Sequence, residues 1–267
     1  MTELTLPSTV NTPEMWEQTL RERALQLGLD HLDILFDQSG VAYSGMERRP
    51  LMYPLQVLLQ DTAHDAAASE GPVLFRCPLT PSTPCAGLLH LAQRFVGQPK
   101  LLVLLSPWDF SLLAAHCRHY LLAAWDDGKK QGVLRYYDPR VFRPVVQQLE
   151  KATRAHLLSA AYEWHWIDRD QQPAQLLAQT APDAPWTPAP TPALTLRQSD
   201  LDVLSSWHQA ELWRQERLLT PGECGQPSQE AMMDTLAQLQ MDADRQQLLS
   251  QPAREAFIQQ QLGATPG

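Results

Sequence analysis

A proline-rich segment in the last third of the chain constrains the fold most. Between Pro173 and Pro192, 6 prolines stand among residues rich in Ala, Thr and Gln. Each proline fixes φ and removes a backbone donor, so this stretch forms neither a regular helix nor a central strand. We therefore predict a linker or extended strap over 171–193, preceded by an α/β lobe over 1–170 and followed by a helical lobe over 194–267.

Before this segment, strand patterns alternate with helix patterns. The continuous apolar run at 100–106 is typical of a strand that is covered on both faces. Strands are predicted at 31–37, 72–77, 100–106, 132–138 and within 161–167. Helices are predicted at 13–28, 85–96, 109–125 and 139–153. This alternation predicts an α/β lobe with a mixed sheet and flanking helices.

The pattern after residue 193 is helical throughout. Helices are predicted at 199–219, 228–241 and 244–262. On a helical wheel, the apolar face of the first is formed by Leu201, Leu204, Leu212 and Leu219. Trp207 widens this face, whereas Trp213 falls among polar side chains. We expect Trp213 to be covered by another segment or to contact a partner, and we regard Trp207 and Trp213 as candidate partner-binding residues.

The charge and cysteine content exclude several classes of protein. The net charge is −9 and the pI is about 5.3, so the basic footprint of a nucleic-acid or anionic-lipid binder is missing. The 4 cysteines have no CxxC spacing, which indicates a reduced compartment. The N-terminus has no basic and apolar leader pattern, and the run at 101–105 is too short to cross a bilayer. We expect a cytoplasmic protein with no membrane or nucleic-acid partner.

Two junctions carry signals for the beginning of a helix. Ser106 and Pro107 are placed to cap and open the helix after the apolar strand. The alternative role of Ser106 as a nucleophile lacks the surrounding GxSxG pattern. Asp138 is a natural N-cap, and Pro139 after it suits the first helical position.

Three arginines crowd the second junction. Arg135, Arg140 and Arg143 are predicted to pair with Asp138, Asp126 and Asp127, as surface charges commonly do. Alternatively, Arg140 and Arg143 form a small basic patch for the carboxylates of a partner.

His116 and His119 are the strongest candidates for metal ligands, and they are weak ones. A zinc site on one helix needs ligands at i and i+4 or a CxxC knuckle, whereas these residues are three apart. Packed histidines are the better interpretation. Phosphate-binding glycine patterns do not occur either. The sequence predicts no catalytic residue, no metal ligand and no cofactor.

The region 101–150 resembles the type VI secretion effector adaptor/chaperone family, first catalogued as a domain of unknown function. The similarity lies in a Ser that opens a helix, a turn of the form His-Cys-Arg at 116–118, and the junction Arg-Tyr-Tyr-Asp-Pro-Arg at 135–140. The strands at 32–37 and 71–74 match in order. The signature residues are Ser106, His116, Arg118, Arg135, Tyr137, Asp138, Pro139 and Arg140.

This resemblance implies a specific role. Members of that family have an α/β lobe and a variable helical lobe, load an effector onto its VgrG spike, and have no known active site. The expected partners are therefore a secreted effector and VgrG, with effector choice in the helical lobe. Two other functions stay open: a hydrolase or transferase built from Asp138, Arg140 and His116, and an immunity protein that neutralises a toxin.

Overall fold

The computed structural model describes residues 12–41, 53–178 and 194–264. The chain divides into two compact units, Met1–Thr195 and Leu196–Gly267. The helices of the first unit are α1 (Pro13–Gln26), α2 (Ala86–Arg94), α3 (Phe110–Leu121), α4 (Pro139–Gln148) and α5 (Lys151–Leu158). Its strands are β1 (His31–Asp37), β2 (Leu55–Val57), β3 (Pro72–Pro78), β4 (Leu101–Leu105), β5 (Leu122–Trp125), β6 (Lys130–Val133), β7 (Glu163–Ile167), β8 (Pro173–Leu177) and β9 (Leu194–Thr195).

The first unit is built on a six-stranded sheet with the order β2-β3-β1-β4-β7-β8. Every neighbouring pair in it is antiparallel. A second sheet has the order β6-β5-β9, in which β9 runs parallel to β5. The predicted fold class, an α/β lobe followed by an all-α lobe, is confirmed. The mixed pairing occurs in the small sheet.

One face of the large sheet is covered by α1 and α2. Thr12 caps α1 by accepting from the Met15 amide at 3.2 Å, and Pro13 follows the cap. The buried stripe of α1 consists of Trp16, Leu20 and Ala24, spaced four residues apart. These residues share one core with Val103 and Leu105 of β4 and with the buried side chains of α2. The apolar residues of α1 therefore recur at the helical period and form the side of the helix that packs on the sheet.

The opposite face carries a cluster of aromatic side chains. Trp164 and Trp166 alternate on β7 with residues that point toward α1 and α2. Phe142 of α4 stacks on Trp164 and meets Trp166 edge-on, both at 5.3 Å between ring centroids. The Trp164 indole donates to the Leu158 carbonyl at 3.1 Å, so α4 and α5 are both fastened to this face.

The predicted helix at 109–125 is too long. It ends at Leu121, and Leu122–Trp125 forms β5, which pairs with β6 in a hairpin. The turn places Asp126 and Asp127 at φ 54 and Gly128 at φ 81. Three successive left-handed residues reverse the chain, and ladder pairing then outweighs the helix propensity of Leu-Ala-Ala-Trp.

The strand predicted at 132–138 is also largely wrong. The strand β6 ends at Val133, and an irregular segment follows it up to Asp138. The Tyr136 hydroxyl donates to the Cys117 carbonyl at 3.0 Å, and the ring is fully buried. The aromatic residues that suggested a strand serve instead to anchor this segment on α3. The helix predicted at 139–153 is likewise two helices, α4 and α5.

The second unit consists of α6 (Gln198–Arg217), α7 (Gln229–Arg245) and α8 (Gln251–Ala264). The buried stripe of α6 comprises Ser206, Trp207, Ala210 and Trp213, which follow the spacing of core positions. They pack with Met232, Met233, Leu236 and Ala237 of α7 and with Ile258 of α8. The predicted leucine face is confirmed in part, because Trp207 and Leu219 belong to or pack against this core, whereas Leu212 is 37% exposed. Tryptophan and small residues at a 3–4 spacing define the buried face better than the number of leucines.

The segment predicted as a linker or strap, 171–193, contains the strand β8, and the short strand β9 follows directly after it. Strand β8 lies at the edge of the large sheet and begins at Pro173, where a missing amide is tolerated. Strand β9 pairs with β5. The remaining prolines, from Pro182 to Pro192, lie outside the described residues. Among the residues that are described, no helix is long and apolar enough to cross a membrane.

Candidate functional site

Ser106 follows the central strand β4 and is fully buried. Its hydroxyl donates to the Ala160 carbonyl at 2.5 Å. The predicted role as the cap of α3 is wrong, because Asp109 is the N-cap and accepts from the amides of Ser111 at 2.8 Å and Leu112 at 3.4 Å. The Ser106 proton points to a carbonyl and not to a base, so the hydroxyl fastens two loops together.

His116 lies in the buried face of α3. Its Nε2 is 3.0 Å from the Leu157 carbonyl, which makes Nε2 the protonated nitrogen of a neutral ring. Burial lowers the pKa of His116 to about 3, and the nearby rings of His156 and His119 act in the same direction. The ring also meets Trp108 edge-on at 5.2 Å. His116 is therefore a packed histidine that holds α5 against α3.

Arg118 also binds backbone carbonyls. Its Nε donates to Leu58 at 3.0 Å, and its terminal nitrogen donates to Val57 at 3.3 Å. The guanidinium thus anchors the end of β2 to α3. Ser106, His116 and Arg118 share one role, since each satisfies a carbonyl outside regular pairing.

Asp138 is the N-cap of α4, as predicted. Its carboxylate accepts from the Arg140 amide at 3.0 Å, and Pro139 occupies the first turn. The Arg140 side chain also binds this carboxylate in a bidentate manner, through contacts of 3.0 and 2.7 Å. One side chain thereby begins the helix and orients an arginine.

A second carboxylate, that of Asp37 at the end of β1, shares Arg135 with Asp138. It is 2% exposed and accepts from the Ser39 amide at 2.9 Å. Arg135 donates to Asp37 at 2.9 Å and lies 3.6 Å from Asp138. Lys100 completes the group, with its Nζ 3.7 Å from Asp37. We call Asp37, Lys100, Arg135, Asp138 and Arg140 the basic cluster.

The basic cluster presents positive charge to solvent. Its two carboxylates are buried, whereas the Arg135 and Arg140 side chains are 46% and 32% exposed. Lys100 and Arg135 contact the Asp37 carboxylate, and Arg135 and Arg140 contact the Asp138 carboxylate. Arg135 also lies over the Tyr137 ring at 5.8 Å, which restricts its orientation. Arginines held in this way are suited to bind the carboxylates of a partner.

The other predicted residues lie elsewhere. Arg143 is half-buried on α4. Asp126 lies 3.6 Å from Lys130, so the predicted pairing with the arginines does not form there. Trp207 and Trp213 are buried core residues of the second unit. Within the described ranges, no group of three or more His, Cys, Asp or Glu side chains is arranged to hold a metal ion.

Sequence reasoning missed Asp37 and Lys100. A strand end followed by Ser39 and Gly40 was the available signal for a buried Asp that binds turn amides. Its proximity to Lys100 depends on the pairing of β1 with β4, where the Asp37 amide donates to the Lys100 carbonyl at 2.9 Å. That pairing cannot be read from local pattern.

Comparison with known proteins gives one match. No curated protein and no solved structure matches the chain. The part of the chain that matches a family model begins in β1 and ends in α5. It contains all the signature residues and the whole basic cluster. Residues 33–156 match the family model described as Domain of unknown function (DUF4123).

Proposed function

We propose that this protein is a non-catalytic adaptor or chaperone that binds a type VI secretion effector and helps to load it onto its VgrG spike. The match of residues 33–156 to DUF4123 carries the proposal, because that family is generally associated with such adaptors. The resemblance of residues 101–150 lies within this matched segment and agrees with it. The adaptor would act in the cytoplasm, before secretion.

The environments of the candidate catalytic groups favour a binding protein over an enzyme. The Ser106 hydroxyl and the His116 ring are both buried and both bound to backbone carbonyls. Asp138 is engaged by the α4 amide and by Arg140. A hydrolase or transferase would need one of these groups to face a substrate.

The basic cluster is the surface that we propose for the partner. Its exposed arginines are oriented by buried carboxylates, so little side-chain entropy is lost when they bind an anion. The expected contact is an acidic or C-terminal carboxylate of the effector or the spike. Removing the positive charge should therefore weaken capture, and circular dichroism verifies that each variant is folded.

Co-expression tests the proposal directly. The tagged full chain should co-purify with the effector and VgrG encoded beside it, and secretion of that effector should require it. Capture of neither protein would overturn the proposal. Capture of a toxin without VgrG, together with protection from that toxin, would identify an immunity protein instead.

Two variants test the surface. Arg135→Gln and Arg140→Gln remove positive charge while they keep a hydrogen-bonding side chain, and each should lower effector or spike capture about tenfold. Arg245→Gln is the matched control, since Arg245 is an exposed arginine on α7 that is paired with Asp242. Equal capture by all three variants would exclude the basic cluster as the contact.

A further inference from the structure

The helix α6 has apolar residues on two opposite sides. Ala210 lies in the middle of its buried side, which shares a core with α7 and α8. At 100° per residue, Leu201, Leu204 and Leu212 all lie within about 60° of the direction opposite to Ala210. We call these three leucines the second face of α6.

The second face is only partly covered. Leu212 is 37% exposed, and Leu201 and Leu204 are half-buried. Ser205 and His208, which lie between the leucines on the same side of the helix, are exposed. Within the described part of the second unit, the three leucines are not among the side chains that form its core or pack against it. From Leu201 to Leu212 the face is about 16 Å long, which is the length of three turns of a partner helix.

The charge beside the second face is negative. Asp202 and Glu216 are exposed and lie along one side of the leucines. Asp202 accepts a hydrogen bond from the Gln198 amide at 2.8 Å, which leaves its charge in place. On the other side, Glu211 is half-buried and paired with Arg214 at 2.7 Å.

The rest of the second unit does not offset this charge. Residues 196–267 contain 5 arginines and no lysine, against 10 Asp and Glu. Each arginine is bound to a carboxylate of the same unit, in the pairs Arg197–Asp200, Arg214–Glu211, Arg217–Glu255, Arg245–Asp242 and Arg254–Asp244. A partner that docks on the second face therefore meets a surface with surplus negative charge.

These features select the kind of partner. A row of leucines on a helix is complementary to the apolar stripe of an amphipathic helix. The carboxylates beside the row favour a helix whose stripe is flanked by Lys or Arg. A second copy of this chain is a poorer fit, because two such faces in contact would bring Asp202 and Glu216 toward like charges.

We propose that the second face of α6 is the docking site for an amphipathic helix of the secreted effector. The three leucines contact the apolar stripe of that helix, and Asp202 and Glu216 contact the Lys or Arg residues beside the stripe. This inference rests on the proposed adaptor function and adds the surface that selects the effector. The basic cluster belongs to the first unit and binds carboxylates, so the two sites differ in the charge that they bind.

Co-expression of the full chain with the effector and VgrG encoded beside it tests the proposal. Leu212→Glu places a charge on the second face and should lower effector capture about tenfold. Leu249→Glu is the matched control, since Leu249 is 88% exposed and lies between α7 and α8, and it should capture the effector as the wild type does. Circular dichroism verifies that both variants are folded.

Charge reversal tests the chemistry of the partner. Asp202→Lys and Glu216→Lys should each lower effector capture about threefold at low ionic strength, and the loss should shrink as salt is added. Glu223→Lys controls for the change in net charge, because Glu223 lies in the loop before α7. A gain in capture on charge reversal would mean that the docking segment is acidic and would overturn the proposal.

A photo-crosslinking amino acid at position 212 identifies the segment that binds. We expect a crosslink to an effector segment with helically spaced apolar residues and flanking Lys or Arg. A crosslink to a second copy of the chain or to VgrG in place of the effector would overturn this inference, as would equal capture by the wild type and Leu212→Glu. Those results would leave the adaptor function standing, whereas capture of neither protein by the wild type would overturn both.

Discussion

Asp33 and Arg76 face each other across the β1–β3 ladder and form a bidentate ion pair in which both hydrogen bonds are 2.8 Å long. The Asp33 carboxylate is fully buried. Arg76 also donates to the Trp108 carbonyl at 2.8 Å, so the pair connects the sheet to the chain that enters α3.

Removing one partner of this pair should be costly. Arg76→Met removes the bidentate partner of the buried Asp33 carboxylate and leaves the His31 ring 3.5 Å away, so we expect the free energy of unfolding to fall by about 3 to 5 kcal/mol. Urea unfolding followed by fluorescence measures this loss. The double variant Asp33→Leu with Arg76→Met should recover most of the stability, because no buried charge is left. A loss below about 1 kcal/mol in the single variant would contradict this account.

Asp138→Asn should change little. Asparagine caps a helix about as well as aspartate, so the free energy of unfolding should fall by less than about 1 kcal/mol. Asp138→Ala should lower it by about 1 to 2 kcal/mol, since the cap is lost. Thermal unfolding compares the two. A loss above about 2 kcal/mol in the asparagine variant would mean that the ion pairs of the carboxylate, and not the cap, dominate its contribution to stability.

Trp213 should matter for stability and not for recognition. It is 6% exposed within the core of the second unit, and the Arg217 guanidinium lies 4.7 Å from its ring. Trp213→Ala should lower the free energy of unfolding by about 3 to 5 kcal/mol. Leu212→Ala, at the adjacent and more exposed position, should stay within about 0.5 kcal/mol of the wild type. Equal effects of the two variants would contradict the assignment of the buried face.

Lowering the pH should destabilise the first unit, because His116 takes up a proton when the chain unfolds. The pKa of this ring is about 3 when folded, below the value of about 6.5 in an unfolded chain, so the unfolded state binds a proton first. The contribution is present above about pH 6.5 and is lost as the pH falls toward 3. Urea midpoints between pH 7.5 and 4 should show a shallower decline in His116→Gln than in the wild type. Parallel curves would mean that other groups cause the decline.

Local chemistry made some elements readable from the sequence and left others hidden. Asp138 is recognisable as the N-cap of α4 because a short polar side chain before proline is a local signal. The β4 strand was readable because it is buried on both faces. The cap of α3 was assigned one turn too early, since Ser106 and Asp109 both suit that role.

The missed features depend on distant partners. The hairpin of β5 and β6 is formed by pairing that competes with helix propensity in the same residues. Asp37 joins Arg135 only because the sheet places the end of β1 beside the segment before α4. The wheel places Trp213 on the polar side of α6, but in the fold this residue belongs to a core shared with α7. In each case a contact with a segment that is distant in the sequence, and not the local pattern, determines the structure of these residues.

The short parallel strand β9 has a consequence for how this chain tolerates change. Leu194 of β9 lies beside Ala123 of β5, although the two residues are far apart in the sequence. The same strand β5 also pairs with β6. A substitution that disrupts β5 should therefore release β6 and β9 together, so local opening of the small sheet is expected to be cooperative.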